Sequence, residues 1–289
     1  MMLTLRTVRL GRKRARILGN ILAYALLVAG GAMIMLPFFW MVSTSLKKQW
    51  DVYIFPPVWI PNPPQWQNYV QALSVYPFHL YLFNTLRITV LTVFGATLSS
   101  ALAAYGFARL RAPGKDLIFM ALLGTMMLPY AVTMVPIFML FNALGWVNSF
   151  KPLIVRAFFG NVFYIFLLRH CCRTIPRELE HAARIDGCGS FMIFWRIILP
   201  LSVPALATVA IFEFMNAWND FLGPLIYLAD ESKRTVALAL AFYQGSARIG
   251  PQMHLMMAVA FVVLVPELVL SFLAQRLFIQ GIVFTGVKG

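Results

Sequence analysis

Acidic side chains are scarce in this 289-residue chain: ten Asp and Glu stand against 24 Lys and Arg, a formal net charge of +14. Charged residues of both signs make up only 12%, against about 25% in ordinary soluble domains. That leaves too little polar surface to coat a globule in water and excludes a common soluble fold. Cysteine is equally sparse. Cys171, Cys172 and Cys188 form an odd set without a CxxC pair. Even with His170 and His181 nearby they match no common zinc pattern, so no metal site and no disulfide framework are expected. The chain also lacks a P-loop, an HExxH and a GxSxG segment, and its few acids are not grouped with a base or nucleophile. These absences exclude recognisable catalytic machinery: no catalytic residue is expected, and no cofactor in this chain.

What the chain has is apolar length. Hydrophobic residues reach 61%, and a helix needs about 20 mostly apolar residues to cross a bilayer. Residues 17–46 carry no charge and follow six basic residues, Arg6, Arg9, Arg12, Lys13, Arg14 and Arg16. The run is longer than a signal-peptide core and ends in no small-residue cleavage site, so it reads as an uncleaved first helix. Residues 88–108 form a second uncharged run, closed by Arg109, Arg111 and Lys115 around the Pro113-Gly114 turn. Residues 117–150 form a third, whose helix is expected to end near Asn142 before an external turn at 145–149. Spans four to six are placed at about 152–171, 203–227 and 254–276.

Six spans put both termini on one side. Sixteen basic residues then lie on that side and six on the other, with Arg87 and Arg156 too near span ends to assign. Basic residues collect on the cytoplasmic side, so the N- and C-termini are placed in the cytoplasm. The positive charge is a topology signal; nucleic acid is not an expected partner, the lipid bilayer is. The fold expected is all-α: a polytopic membrane protein of six transmembrane helices.

Small residues recur at every fourth place in the second span, Ala96, Ser100 and Ala104, which suits close helix packing. Residues 47–80 form an external loop stiffened by Pro56, Pro57, Pro61, Pro63 and Pro64. A second external loop covers 229–253. Acids inside spans are costly and normally face a cavity or a partner. Glu213, Asn216 and Asp220 share one face of the fifth span by their 3–4 spacing, and Glu267 follows Pro266 in the sixth. Two readings stand for the Glu213 face: a polar lining for a solute path, or glue between helices with Arg87 or Arg156 as counter-charges. Trp218 and Asn219 lie on other faces and are expected to point outward.

The segment 174–200 reads as two short cytoplasmic helices. Pro176 can open the first, Gly187 or Gly189 can end it in a left-handed conformation, Ser190 can cap the second and Pro200 can stop it. Ala182 and Ala183 give the first helix a smooth side suited to a groove in another protein, rimmed by Arg177, Glu178, Glu180, Arg184 and Asp186. The second is aromatic and apolar, with Phe191, Phe194 and Trp195.

This segment resembles the EAA loop of ATP-binding-cassette importer permeases, in which EAA is followed after three residues by Gly and after nine more by Ile-x-Leu-Pro. Here the positions read His181-Ala182-Ala183, Gly187, then Ile197-x-Leu199-Pro200. The chain departs at the first letter, where His181 replaces a Glu that in the family is expected to pair with an Arg of the ATPase subunit. Similarity extends through 99–115, 127–138, 216–225 and the tail 285–289, and looks like the smaller permease subunit of the maltose transporter class.

The resemblance implies a single permease domain over residues 1–289, with 1–16 as a basic cytoplasmic tail and 174–200 as the coupling loop. It implies a homologous second permease, two ATPase subunits that bind ATP and Mg, and an extracytoplasmic solute-binding protein in the bacterial inner membrane. His181, Ala182, Ala183, Asp186, Gly187, Ile197, Leu199 and Pro200 become the ATPase-coupling residues. The segment 235–252, with Tyr243, Gln244 and Gly245, becomes the loop that reaches the binding protein, and the C-terminal tail is implied to touch the ATPase pair. The solute implied is a sugar or, on the same patterns, glycerol phosphate. An ion-coupled transporter is the rival class, but no clear internal repeat is visible.

Overall fold

The computed structural model describes residues 2–243 and 252–286, with side chains over 17–243 and 252–275. Those residues form helices and turns and no strand, the all-α arrangement expected. They fall into two compact units, 1–72 with 251–261, and 73–250 with 262–289.

In the first unit α1 (Met2–Ser45) is one helix, continuous through the uncharged run even with Pro37 in its interior. Its apolar window is exposed on all sides, as for a helix whose solvent is not water. The helix ends where polar groups take over its last carbonyls. Asn68, in α2 (Gln67–Val75), donates from Nδ2 to the carbonyls of Ser45 and Lys47, 2.8 Å each. The Ser45 and Tyr69 hydroxyls lie 2.8 Å apart. The proline-rich loop folds back so that Trp59 meets Trp40 edge-on at 5.1 Å, while Lys47 Nζ sits 3.8 Å over the Trp40 ring. The helix α14 (Met253–Gly286) starts in this unit, where Phe261 packs against Phe38 and Tyr69.

The second unit is organised on α3 (Phe78–Arg109), a 32-residue helix without proline. It packs chiefly against α7 (Val162–Thr174) and α11 (Val203–Trp218). The small stripe makes this possible: Ala96, Ser100 and Ala104 are all buried. At Gly95 an added Cβ would lie 2.5 Å from the Phe158 ring, so a larger residue there would push the neighbouring segment away. Leu168, Ile193, Phe194, Ile198 and Val209 complete the core around the stripe.

The third predicted span is not one straight helix. α4 (Lys115–Thr125) and α5 (Tyr130–Ala143) meet at 102°, because Pro129 lacks the N–H to continue α4 and disfavours helical geometry at Leu128. The fourth is interrupted too. α6 (Lys151–Val155) passes into a 3-10 turn, Arg156–Phe159, and Gly160 (φ 80°) resets the chain before α7, whose start is capped by Asn161 Oδ1 accepting from Phe163 N at 2.9 Å. The fifth ends at Trp218 rather than 227, with α12 (Leu222–Tyr227) set off by an Asp220 turn that accepts from Gly223 N at 3.0 Å. Among the described residues four helices are long and apolar enough to cross a membrane, or up to six if each bent pair is one span.

Candidate functional site

The Glu213, Asn216 and Asp220 face opens on a cavity of about 890 Å³ within the second unit. All three residues line it, as their spacing predicts. α3 contributes Thr85 and Thr92, and the bend between α4 and α5 contributes Tyr130 and Thr133. Arg156, whose 3-10 turn aims it inward, lines the cavity and lies 5.8 Å from the Tyr130 ring centre. Among the described residues Arg156 makes no direct salt bridge, but its charge acts on Glu213 across the cavity, the counter-charge role open to it in the sequence; Arg87 lies 5.6 Å from the Phe150 ring. Asn216 Nδ2 donates to Tyr164 Oη at 3.0 Å.

Two neighbours depart from expectation. Trp218 is buried and its Nε1 donates to Val263 O at 3.1 Å. Asn219 lines the cavity and donates to Glu267. Both were expected to point outward; the helix ends at Trp218, and the break beyond it turns Asn219 inward. Arg156, Asn161, Tyr130 and the threonines were also missed as lining residues, because each belongs to a bend or a separate helix that apolar periodicity does not register.

The two-helix segment forms as read, with adjustments. α8 (Arg177–Ile185) has Pro176 as its N-cap, and Gly187 closes it at φ 81°. Cys188 N donates to Ala183 O at 2.9 Å and Gly187 N to Arg184 O at 3.1 Å, the paired bonds of a left-handed glycine stop. Ser190 does not cap the second helix: it is the first residue of α9 (Ser190–Ile193), the N-cap is Gly189, and no side chain bonds there. Pro200 does not stop it either. Phe194–Ile198 widens into a π turn, α10 (Leu199–Leu201) carries Pro200 in its last turn, and the break follows with a 79° bend into α11. Widening the preceding turn relieves the proline ring's clash with the helix.

Of the residues read as coupling sites, His181, Ala182, Asp186, Gly187 and Pro200 are exposed, and Ile197 and Leu199 are half-buried. Ala183 faces inward and belongs to the core, since adjacent helical positions diverge by about 100°. Glu180 is likewise no part of an exposed rim; it is buried in an ion pair with Arg109. The outward side carries apolar bulk instead: Ile185 is 88% exposed, and Phe191, Trp195, Leu179 and Met192 are exposed around it.

At the other end of the unit, Asn148 adopts φ 59° in the predicted 145–149 turn, a left-handed conformation that asparagine tolerates. Its Oδ1 accepts from Ala229 N and Asp230 N, and its Nδ2 donates to Asp230 Oδ2 at 2.8 Å. Lys233 Nζ donates to Asn148 O at 2.8 Å and to Asp230 Oδ2 at 2.7 Å. Hydrogen bonds from Lys233 and Asn148 hold the Asp230 carboxyl below its usual range. α13 (Val236–Tyr243) follows. Tyr243 is buried, edge-on to Tyr76 at 5.2 Å, and burial with Tyr76 and Tyr81 nearby pushes its hydroxyl up to about 12. Its side chain therefore anchors α13. Gln244 and Gly245 lie outside the described residues, as do residues 287–289 of the tail.

Residues 95–283 match the family model described as the binding-protein-dependent transport system inner membrane component. The chain is 33% identical over 276 residues to the sulfoquinovosyl glycerol transport system permease protein of Agrobacterium fabrum, covering 93% of each. It is 30% identical over 270 residues to the sn-glycerol-3-phosphate transport system permease protein of Yersinia enterocolitica, 91% of this chain and 96% of that one. Its fold is similar to a chain in the crystal structure of a bacterial transporter involved in importing the acidic polysaccharide alginate, with TM-score 0.80 at 23% identity, over 90% of this chain and 96% of that chain. The uncharged spans, the glycine-hinged helix pair and these matches converge: the chain belongs to the family of inner-membrane permease components of binding-protein-dependent, ATP-binding-cassette transport systems.

Proposed function

We propose that this chain forms one wall of the translocation path for a sugar or a related polar solute, and that residues 181–187 and 197–200 couple that wall to a separate ATPase subunit. The observation that carries the reading is the cavity itself. Its volume falls within the roughly 300–1,000 Å³ of small-molecule sites, and Glu213, Asn216 and Asp220 share its wall with Thr85, Thr92 and Asn161. Such a lining offers acceptors and donors side by side, which matches hydroxyl groups that need both. The partners follow from the family: a homologous permease, an ATPase pair carrying ATP and Mg, and a solute-binding protein outside. The exposed apolar patch around Ile185 and Phe191 supports docking of α8 in a groove of the ATPase subunit, the helix-in-groove mode.

A phosphate-bearing solute such as glycerol phosphate is the second reading. Arg156 favours it, since a guanidinium that lines the cavity with no direct salt bridge among the described residues can receive an anionic oxygen bidentately. The test reconstitutes the chain with its three kinds of partner and uses as substrate the ligand that mass spectrometry finds on the binding protein. Asp220→Asn and Glu213→Gln are expected to lower uptake about tenfold while ATP hydrolysis persists, since each removes a charge-assisted hydrogen bond. Wild-type uptake in both variants would overturn the lining role. A phosphate ester as the ligand, with uptake lost in Arg156→Gln, would select the second reading.

A further inference from the structure

We propose that Arg109 is a positioning residue that locks α8 to the end of α3, making α3 the rigid rod that carries motion from the ATPase side to the cavity wall. This rests on the coupling role given to α8 above and adds the route by which it acts. Arg109 is the last residue of α3. Its Nε lies 3.0 Å from Glu180 Oε1, and the two side chains are only 3% and 6% exposed. Its Nη2 donates to the carbonyls of Cys172 and Ile175 at the end of α7. The Nη2 hydrogen bonds tie the end of α3 to the end of α7, and the Nε–Oε1 approach, a buried charge contact without hydrogen-bond geometry, brings α8 to the same point.

Burying two charges is a poor way to gain stability, because desolvation offsets most of their attraction. What a buried, multiply bonded pair does is specify one arrangement against others. A second tie runs beside it: one turn back on α3, the Tyr105 ring packs at 5.4 Å on Phe194, the first residue of the π turn. Both helices of the hairpin are therefore held to the last two turns of α3.

The rest of α3 leads to the solute. At about 1.5 Å per residue its 32 residues span roughly 48 Å. Ile88, Thr92 and Ala96 line the cavity from its middle, with Thr85 toward its start. At its far end Asn84 Nδ2 donates to the carbonyls of Ser232 (2.8 Å) and Arg234 (3.1 Å), and Thr85 Oγ1 accepts from Val236 N at 2.9 Å. The alternative route from α8 runs through the π turn and the 79° bend before α11, a joint that can absorb displacement. A single unbroken helix without proline, tied near both ends, has no such joint.

The experiment measures spin–spin distances in the complete transporter, with nitroxides at Arg177→Cys on α8 and Leu102→Cys on α3 and the native cysteines replaced by alanine. Both sites are exposed and lie outside the ion pair. The expected distance stays constant within about 2 Å between the nucleotide-free and ATP-analogue-bound states; a shift of about a helical turn, roughly 5 Å, would overturn the proposal. Glu180→Gln is expected to assemble and hydrolyse ATP but to lower solute carried per ATP about tenfold, whereas Asp51→Asn, in the loop after α1 and outside the docking helix, keeps the wild-type ratio. A wild-type ratio in Glu180→Gln also overturns it. Should that variant not assemble, the wild-type distances decide alone. A chain that recruits no ATPase subunit would instead defeat the coupling reading itself, a result distinct from an assembled, active complex whose two labels move apart.

Discussion

Gly187 holds a backbone conformation, φ 81°, that any side chain would strain, while the space around its Cα is open, with nothing within 4 Å of an added Cβ. A substitution there therefore tests backbone geometry alone. Gly187→Ala should destabilise the hairpin by about 1–2 kcal/mol, the cost of a left-handed conformation for an L-residue, and raise hydrogen exchange over 177–201 without disturbing the spans. Exchange unchanged from wild type would mean that the turn is not under this constraint. His181 stands three residues after Glu178 on the exposed side, and among the described residues nothing pairs with it. The loss of the family's Glu thus leaves the fold of α8 untouched, because the buried carboxylate that holds this helix is the preceding residue, Glu180.

Elements are where sequence and structure part company. Long uncharged runs made α1, α3 and α14 legible, since nothing but lipid or a packed core can solvate them. The glycine stop of α8 was legible for an equally local reason. The bend at Pro129 and the π turn before Pro200 were not, because a proline in an apolar run signals a fault without giving its angle. The Glu213 face was visible in the 3–4 spacing, but Arg156 and Tyr130 come to the same cavity from other helices, and a one-dimensional pattern holds no record of that. Asn148 looked like one residue of a turn and proves to be the hub of the 228–235 segment. That hub makes a pH prediction. Hydrogen bonds depress the Asp230 carboxyl below its ordinary value of 3.8. Its contribution is therefore fully present above that pH and is lost as pH falls through the lowered value. Hydrogen exchange at Ala229 and Asp230 should stay slow from neutral pH down to about 4 and quicken only below it. Asp230→Asn should remove that dependence. Quickening already at pH 6 would assign control of the segment to another group.

For the molecule as a whole, the bonds within the second unit decide what the bent helix pairs do. Asn84 at the start of α3 bonds to Ser232 and Arg234, and Asn148 after α5 bonds to Asp230. Those three segments therefore share one end. Arg109 at the finish of α3, Ile175 after α7 and Glu180 in α8 share the other. α3 runs from the first end to the second, the α4–α5 pair returns, α6 and α7 go back, and α11 with α12 returns again. A re-entrant loop in place of α4–α5 or of α11 would leave 148 or 228 at the wrong end, so the expectation is that α4–α5 and α11 each cross once. The excess of basic residues beside the Arg109 end predicts that this end faces the cytoplasm, where the proposed ATPase subunit would meet α8. In spheroplasts, with the native cysteines replaced by alanine, Ser232→Cys should react with a membrane-impermeant maleimide from outside. Ala112→Cys, three residues past the end of α3, should react only after permeabilisation. Labelling of both from the same side would break the alternation and with it the docking of α8; the reverse pattern would keep the spans but turn the coupling face away from ATP.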